Sequence, residues 1–166
     1  MAEDSSQISI RLTVNGREER AAVPAAMTLL ELLRDRLALK GTKLSCSRAV
    51  CGACTVLIDG DPAASCAVFA FQAGDRAVTT IEGMQADGAL HPIQQAFMER
   101  SAFQCGYCTP GMIMLTKSLL DRIPSPTRAD AVEWLSSNIC RCTGYTLIVD
   151  AVLDAARSLR GARCDR

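Results

Sequence analysis

Nine cysteines dominate the chemistry open to this chain, and eight of them fall into two groups of four. Cys46, Cys51 and Cys54 lie within nine residues, and Cys66 follows after eleven intervening positions. Read as ligands, they have the spacing C-x4-C-x2-C…C, which suits a 2Fe–2S cluster. A short loop can wrap three thiolates around a compact anion, and a remote cysteine closes the cage. Ser45, Gly52 and Ala53 are small, so backbone N–H groups can turn toward the sulfurs. Cys105-x2-Cys108 and Cys140-x-Cys142 form the second set.

Blander chemistry must be weighed for each set. Structural zinc usually takes its ligands as two C-x2–4-C pairs, whereas three close cysteines plus one distant one fit iron–sulfur better. Rieske ligation needs two histidines, and the chain has only His91. The second set is less decisive. Cys105-Gly-Tyr-Cys108 has the form of a redox dithiol, but it lies between two predicted helices with no βαβ context. Cys140-Arg-Cys142 can offer two ligands from one turn. Spacing alone ranks a second cluster first, zinc next and disulfides last. Cys164, in a polar tail, is read as a free thiol. His91 is read as an exposed helix-start residue, Tyr107, Tyr145 and Trp134 as packing. Arg141, between two ligands, either raises a cluster potential or joins a surface ion pair.

Composition narrows the function class. The 166 residues are 49% hydrophobic, enough for a real core, and only 4% aromatic. Lys plus Arg and Asp plus Glu balance at 18 each, which leaves no basic footprint for nucleic acid or an anionic membrane. The odd cysteine count and ligand-like spacing speak against a secreted disulfide framework. The first residues carry no basic or apolar leader, and no run reaches membrane-spanning length. The expectation is a reducing, cytoplasmic location.

The elements that must position these ligands change character midway. Residues 8–14 alternate apolar and polar as a half-buried strand, Asn15-Gly16 signals a two-residue hairpin, and 18–23 form the return strand. Thr28 to Glu31 reads as a capping box with Met27 and Leu32 as a staple. It opens a helix carrying Leu29, Leu30, Leu32, Leu33 and Leu37 that stops before Gly41. Thr55-Val-Leu-Ile58 reads as a strand, Asp59-Gly60 as a turn, and 77–81 as a last strand. Glu82 to Ala89 reads as a linker. Beyond it the spacing is helical: a helix from Pro92, one capped by Thr109 with Pro110 at its first position and ended by Pro124, one capped by Thr127, and a last one carrying Ile148, Val152, Ala155 and Leu159. The predicted fold class is α+β: a plant-type ferredoxin β-grasp domain (1–82), a linker (83–89) and a four-helix bundle domain (90–166). Each half has about 80 residues, a size at which a core alone supplies roughly 3–5 kcal/mol, so bound metal should act as a staple.

Three motifs carry a resemblance across about residues 7–160. Cys-Gly-Ala-Cys-Thr-Val at 51–56, Gln-Cys-Gly-Tyr-Cys-Thr-Pro-Gly-Met at 104–112 and Asn-Ile-Cys-Arg-Cys-Thr-Gly-Tyr at 138–145 resemble the iron–sulfur subunit of the molybdenum hydroxylases. That family includes xanthine oxidase, bacterial carbon monoxide dehydrogenases and N-heterocycle or aldehyde oxidoreductases. Ser45 and Ala49 stand where members often have glycine, which bears on the loop conformation rather than on the ligands. The resemblance implies an electron-transfer subunit with two 2Fe–2S clusters. Cys105, Cys108, Cys140 and Cys142 would hold the cluster near a molybdopterin dinucleotide on a large subunit. Cys46, Cys51, Cys54 and Cys66 would hold the one toward FAD on a medium subunit. Gln104 and Cys142 match positions that hydrogen-bond the pterin, and the three chains would form a heterotrimer, often doubled. The chain itself would contain no substrate-converting site, and its early end implies that the flavin and molybdenum parts are separate polypeptides. A free-standing two-cluster ferredoxin is the alternative; the long helical half and the absence of net negative charge disfavour it.

Overall fold

The computed structural model describes residues 7–85 and 88–164, with side chains to Gly161. Strand β1 (Gln7–Val14) turns at Asn15 and Gly16, both with positive φ, and returns as β2 (Arg17–Pro24) with Val14 opposite Arg17. Paired left-handed residues are what a tight hairpin needs, because their twist matches that of the strands. Thr28 then caps the chain as expected: its side chain accepts from Glu31 N, and its own N–H donates to the Glu31 carboxylate at 2.7 Å.

The helix it opens is much shorter than the sequence predicts. Regular α1 covers only Leu29–Glu31, and the chain widens into a π turn at Leu32–Arg36. Leu37 N bonds Leu32 O at 3.0 Å, and Ala38 takes φ +56, which turns the chain away. The wider turn still buries Leu29, Leu32 and Leu33 completely. Packing outweighs helical regularity here.

Strand β3 (Thr55–Ile58) is buried at all four positions and turns at Asp59-Gly60 into β4 (Asp61–Ala64). The sheet closes with β5 (Ala77–Thr79), giving the order β2-β1-β5-β3-β4, in which only β1 and β5 run parallel. β5 is two residues shorter than predicted, because Ile81–Met84 coils into a 3-10 turn. β4 escaped the sequence reading, since Pro62 is tolerated only on an edge strand such as this.

The second half supplies α2 (Pro92–Glu99), α3 (Thr109–Arg122), α4 (Arg128–Leu135) and α5 (Thr146–Cys164). Thr127 forms the expected capping box with Asp130, whose carboxyl is held below its usual range by the Thr127 N–H and hydroxyl. Two predicted caps differ in detail. Cys108, not Thr109, is the N-cap of α3, which moves Pro110 to the second helical position. His91 caps α2 but is half-buried rather than exposed, its Nδ1 accepting from Ile93 N at 3.2 Å.

Two cores result. Leu12, Val14, Leu29, Leu32, Leu33, Val56, Ile58 and Val78 fill one side of the sheet. Phe97, Met112, Leu115, Leu119, Leu135, Ile148 and Val152 fill the helical side, and Leu57 of β3 joins them. Alternate residues of β3 thus face different cores, because α3 lies against the face that the first core leaves open. That is why Thr-Val-Leu-Ile reads as a continuous apolar run without alternation. Among the described residues no helix is long and apolar enough to cross a membrane.

Candidate functional site

The loop between the π turn and β3 carries the first three candidate ligands. Ser47 and Ala49 take φ +54 and +55, so Ala49 adopts the left-handed conformation that a glycine would hold there more cheaply. The loop curls so that Arg48 N and Cys51 N both donate to Cys46 Sγ, each at 3.4 Å. These N–H groups, rather than those of Ser45, Gly52 or Ala53, are the ones aimed at Cys46. Backbone N–H groups at Cys51, Val50 and Arg48 favour the thiolate and lower the Cys46 pKa to about 6. Cys54 lies at the other extreme: it is buried, and burial pushes its thiol up to about 11. Its hydrogen-bond neighbour is Cys66, on the single 3-10 turn Ser65–Ala67 after β4. Ser65 anchors that turn through its hydroxyl to Cys54 O at 2.7 Å.

The second quartet gathers where α2 ends, α3 begins and α4 gives way to α5. Cys142 Sγ and Cys105 Sγ stand 3.6 Å apart, both exposed. Cys108 and Cys140 are hydrogen-bond neighbours farther in. Burial first, then the adjacent Cys140, pushes Cys108 up to about 12. Burial also opposes ionisation of Cys140, but the Thr143 hydroxyl at 3.2 Å and the backbone N–H groups of Thr143 and Cys142 outweigh it, so its pKa is lowered. Cys140 N donates to the Tyr145 hydroxyl at 2.9 Å, and Tyr145 holds φ +69. Tyr145 therefore does more than pack, and Thr143 contributes a hydrogen bond to the Cys140 sulfur. Gln104 Nε2 donates to Cys142 O at 3.1 Å, so the two residues matched to pterin contacts lie side by side. Arg141 is exposed between its two cysteines.

The thiols thus come together in twos: Cys46 with Cys51, Cys54 with Cys66, Cys105 with Cys142, and Cys108 with Cys140. Among the described residues no group of three or more Cys, His, Asp or Glu side chains is arranged to hold a metal ion. Zinc would need four ligands on one point. In a four-cysteine diiron cluster each iron takes only two protein ligands, so a pairwise arrangement fits that group. The reading of Cys164 as a free thiol falls on a side chain outside the described residues.

Main-chain and side-chain contacts bind the two quartets to one another. Ile139 N donates to Cys51 O at 2.9 Å, and the Tyr107 hydroxyl donates to Leu44 O. Asn138, buried at 5% exposure, donates through Nδ2 to Gly52 O at 3.2 Å and to Thr55 Oγ1 at 3.3 Å. Gly111 of α3 runs so close to Gly52 that a Cβ on it would lie 2.2 Å from the Gly52 carbonyl oxygen. Asn138 and Tyr107 were not legible as junction residues. Their partners are remote in sequence, and the only local signal was an Asn two positions before a C-x-C pair.

Comparison with known proteins agrees with this geometry. Residues 12–79 match the model of a 2Fe–2S iron–sulfur cluster binding domain, and residues 80–153 match that of a second 2Fe–2S binding domain. The chain is 48% identical over 151 residues to the nicotine 6-hydroxylase small subunit of Paenarthrobacter nicotinovorans, covering 91% of each. It is 42% identical over 155 residues to the aldehyde oxidoreductase of Megalodesulfovibrio gigas, covering 92% of this chain and 17% of that longer one. Among solved structures, a chain of quinoline 2-oxidoreductase from Pseudomonas putida 86 superposes with a TM-score of 0.91 at 40% identity, over 95% of this chain and 98% of that one.

Proposed function

Because the chain belongs to the small iron–sulfur subunits of the molybdenum hydroxylases, we propose that it carries electrons from a molybdopterin centre on a large partner subunit to FAD on a medium one. The observation that carries this reading is the pairwise gathering of eight cysteines inside two domains of 2Fe–2S type. Cys46, Cys51, Cys54 and Cys66 would hold one cluster and Cys105, Cys108, Cys140 and Cys142 the other. When bound, each 2Fe–2S cluster takes up and releases one electron. Everything else in the chain prepares for that. The N–H groups aimed at Cys46 and the Thr143 hydroxyl on Cys140 stabilise thiolate charge. Burial of Cys54 and Cys140 excludes water from the inner side of each quartet.

Exposure of Cys105 and Cys142, with Gln104 beside them, favours this quartet as the one that meets the pterin. Gln104 and Cys142 are the residues we assign to that contact. The N-terminal quartet then lies on the flavin side. We read residues 1–82 as the ferredoxin-like domain, 83–89 as the linker and 90–166 as a four-helix bundle. The assembly we propose is a heterotrimer that doubles into a hexamer in the cytoplasm. Its substrate is a small organic molecule such as an N-heterocycle or an aldehyde, in keeping with relatives named for nicotine, quinoline and aldehyde. Iron and acid-labile sulfide analysis of the anaerobically purified complex tests the reading. About four of each per copy of this chain, together with flavin- and molybdenum-containing partners, is the expected result. A colourless chain with stoichiometric zinc would sink it.

A further inference from the structure

The two quartets approach each other through one short segment on each side. Cys51 and Gly52 end the first cysteine loop; Asn138 and Ile139 lead into Cys140. The Cys51 carbonyl accepts from Ile139 N at 2.9 Å, so one hydrogen bond separates a residue of the first quartet from the neighbour of a residue of the second. The next carbonyl, that of Gly52, accepts from Asn138 Nδ2 at 3.2 Å, from Thr55 Oγ1 at 2.7 Å and from Thr55 N at 3.1 Å. Asn138 is buried: it is 5% exposed, bonds Thr55 Oγ1, and its amide lies where any side chain on Gly52 would have to go. A buried carboxamide whose donors are satisfied by groups 83 and 86 residues away is a clamp between distant segments, not a local cap.

We infer that Asn138 is a positioning residue for electron exchange between the two clusters, its amide holding the Cys51–Gly52 peptide in register with Ile139. The inference rests on the reading that the two quartets hold clusters. Electronic coupling between two centres falls off more gently through covalent and hydrogen bonds than across a gap. The Cys51–Ile139 bond joins a residue of the first quartet to the immediate neighbour of Cys140. Asn138 touches neither set of thiols, so it acts only by fixing that bond. Thr55 supports the same carbonyl from its own strand and does not reach across to the second quartet except through Asn138.

The test uses the cluster-loaded full chain and three variants. Asn138→Ala removes the amide; Asn138→Leu removes it and keeps the branched heavy-atom skeleton; Arg122→Ala breaks the ion pair from α3 to Asp61 of β4, a contact between the halves that leaves the Asn138 amide and its partners in place. Each is reduced fully with dithionite, and the spin–spin splitting between the two paramagnetic signals is read by low-temperature EPR, alongside iron per chain and melting temperature. The expected result is that both Asn138 variants keep their iron and both signals but lose most of the splitting. In the complex, their intercluster transfer slows about 10-fold, the lower end of what removal of a supporting hydrogen bond costs at a metal site. Arg122→Ala, though destabilised, keeps the splitting. If Asn138→Ala does not fold, Asn138→Leu is read alone. Unaltered splitting in an iron-replete Asn138 variant overturns the proposal, as does equal loss in Arg122→Ala. A wild-type chain without iron and sulfide overturns the underlying assignment instead, whatever the variants do.

Discussion

Replacing Gly52 by alanine should destabilise the protein far more than the same change at Gly60, although both glycines are left-handed. Gly52 holds φ +65 and Gly60 φ +88, so a Cβ costs about 1–2 kcal/mol of backbone strain at either. At Gly60, in the β3–β4 turn, nothing lies within 4 Å of the new atom, and strain is the whole effect. At Gly52 the Cβ would stand 1.6 Å from Asn138 Oδ1 and 2.1 Å from its Cγ, so the buried amide must leave. Its two donor bonds, to Gly52 O and Thr55 Oγ1, go with it at about 1 kcal/mol each. The sum is about 3–4 kcal/mol for Gly52→Ala against about 1–2 for Gly60→Ala. For a chain of this length that means melting temperatures lowered by about 10 °C and about 4 °C. Circular-dichroism melts of the cluster-loaded protein at one scan rate, with iron assayed before and after, make the comparison. Equal shifts in the two variants would refute the idea that Asn138 occupies the space glycine leaves.

Cys51→Ser should reduce iron from about four to about two per chain and abolish one of the two EPR signals, leaving the molybdenum centre of the complex reducible by substrate. Cys108→Ser should do the same to the other signal and block substrate-driven flavin reduction; rapid flavin reduction in that variant would reverse the assigned order. Stripping the clusters with a chelator should leave the chain partly unfolded, because each half retains a core worth only roughly 3–5 kcal/mol; an unchanged melt would contradict this. His91 gives a pH dependence. Burial, then nearby Lys117, holds its pKa below the ordinary 6.5, and its Nδ1 accepts the Ile93 N–H only when unprotonated. As pH falls the unfolded chain binds that proton first, so the stability due to the cap is present above about 6.5 and is lost below it. Melting temperatures taken from about pH 7.5 to 5.5 should fall, and His91→Asn, which keeps a cap acceptor without titrating, should flatten the slope.

Much of this molecule can be read before any coordinates, and the reasons are local. Cysteine spacing is short-range, so the loop at 46–54 and the pairs at 105–108 and 140–142 declare themselves. The hairpin at Asn15-Gly16 and the capping boxes at Thr28 and Thr127 each depend on residues within one turn. What stayed hidden depends on neighbours distant in sequence. The π turn at Leu32–Arg36 keeps Leu32 and Leu33 buried beside Leu29 of α1. Strand β4 is held by β3, not by its own Asp-Pro-Ala-Ala. Asn138 looks like any polar residue after a helix until Gly52, 86 positions earlier, is seen beneath its amide.

The approach of Gly111 to the Gly52 carbonyl has one more result. At that spot polypeptide backbone meets polypeptide backbone, with no side chain between them. How near α3 comes to the first cysteine loop is thus a main-chain dimension. Exposed positions such as Arg141 can be exchanged to suit a different neighbour, and the approach of the two halves at that spot stays as it is.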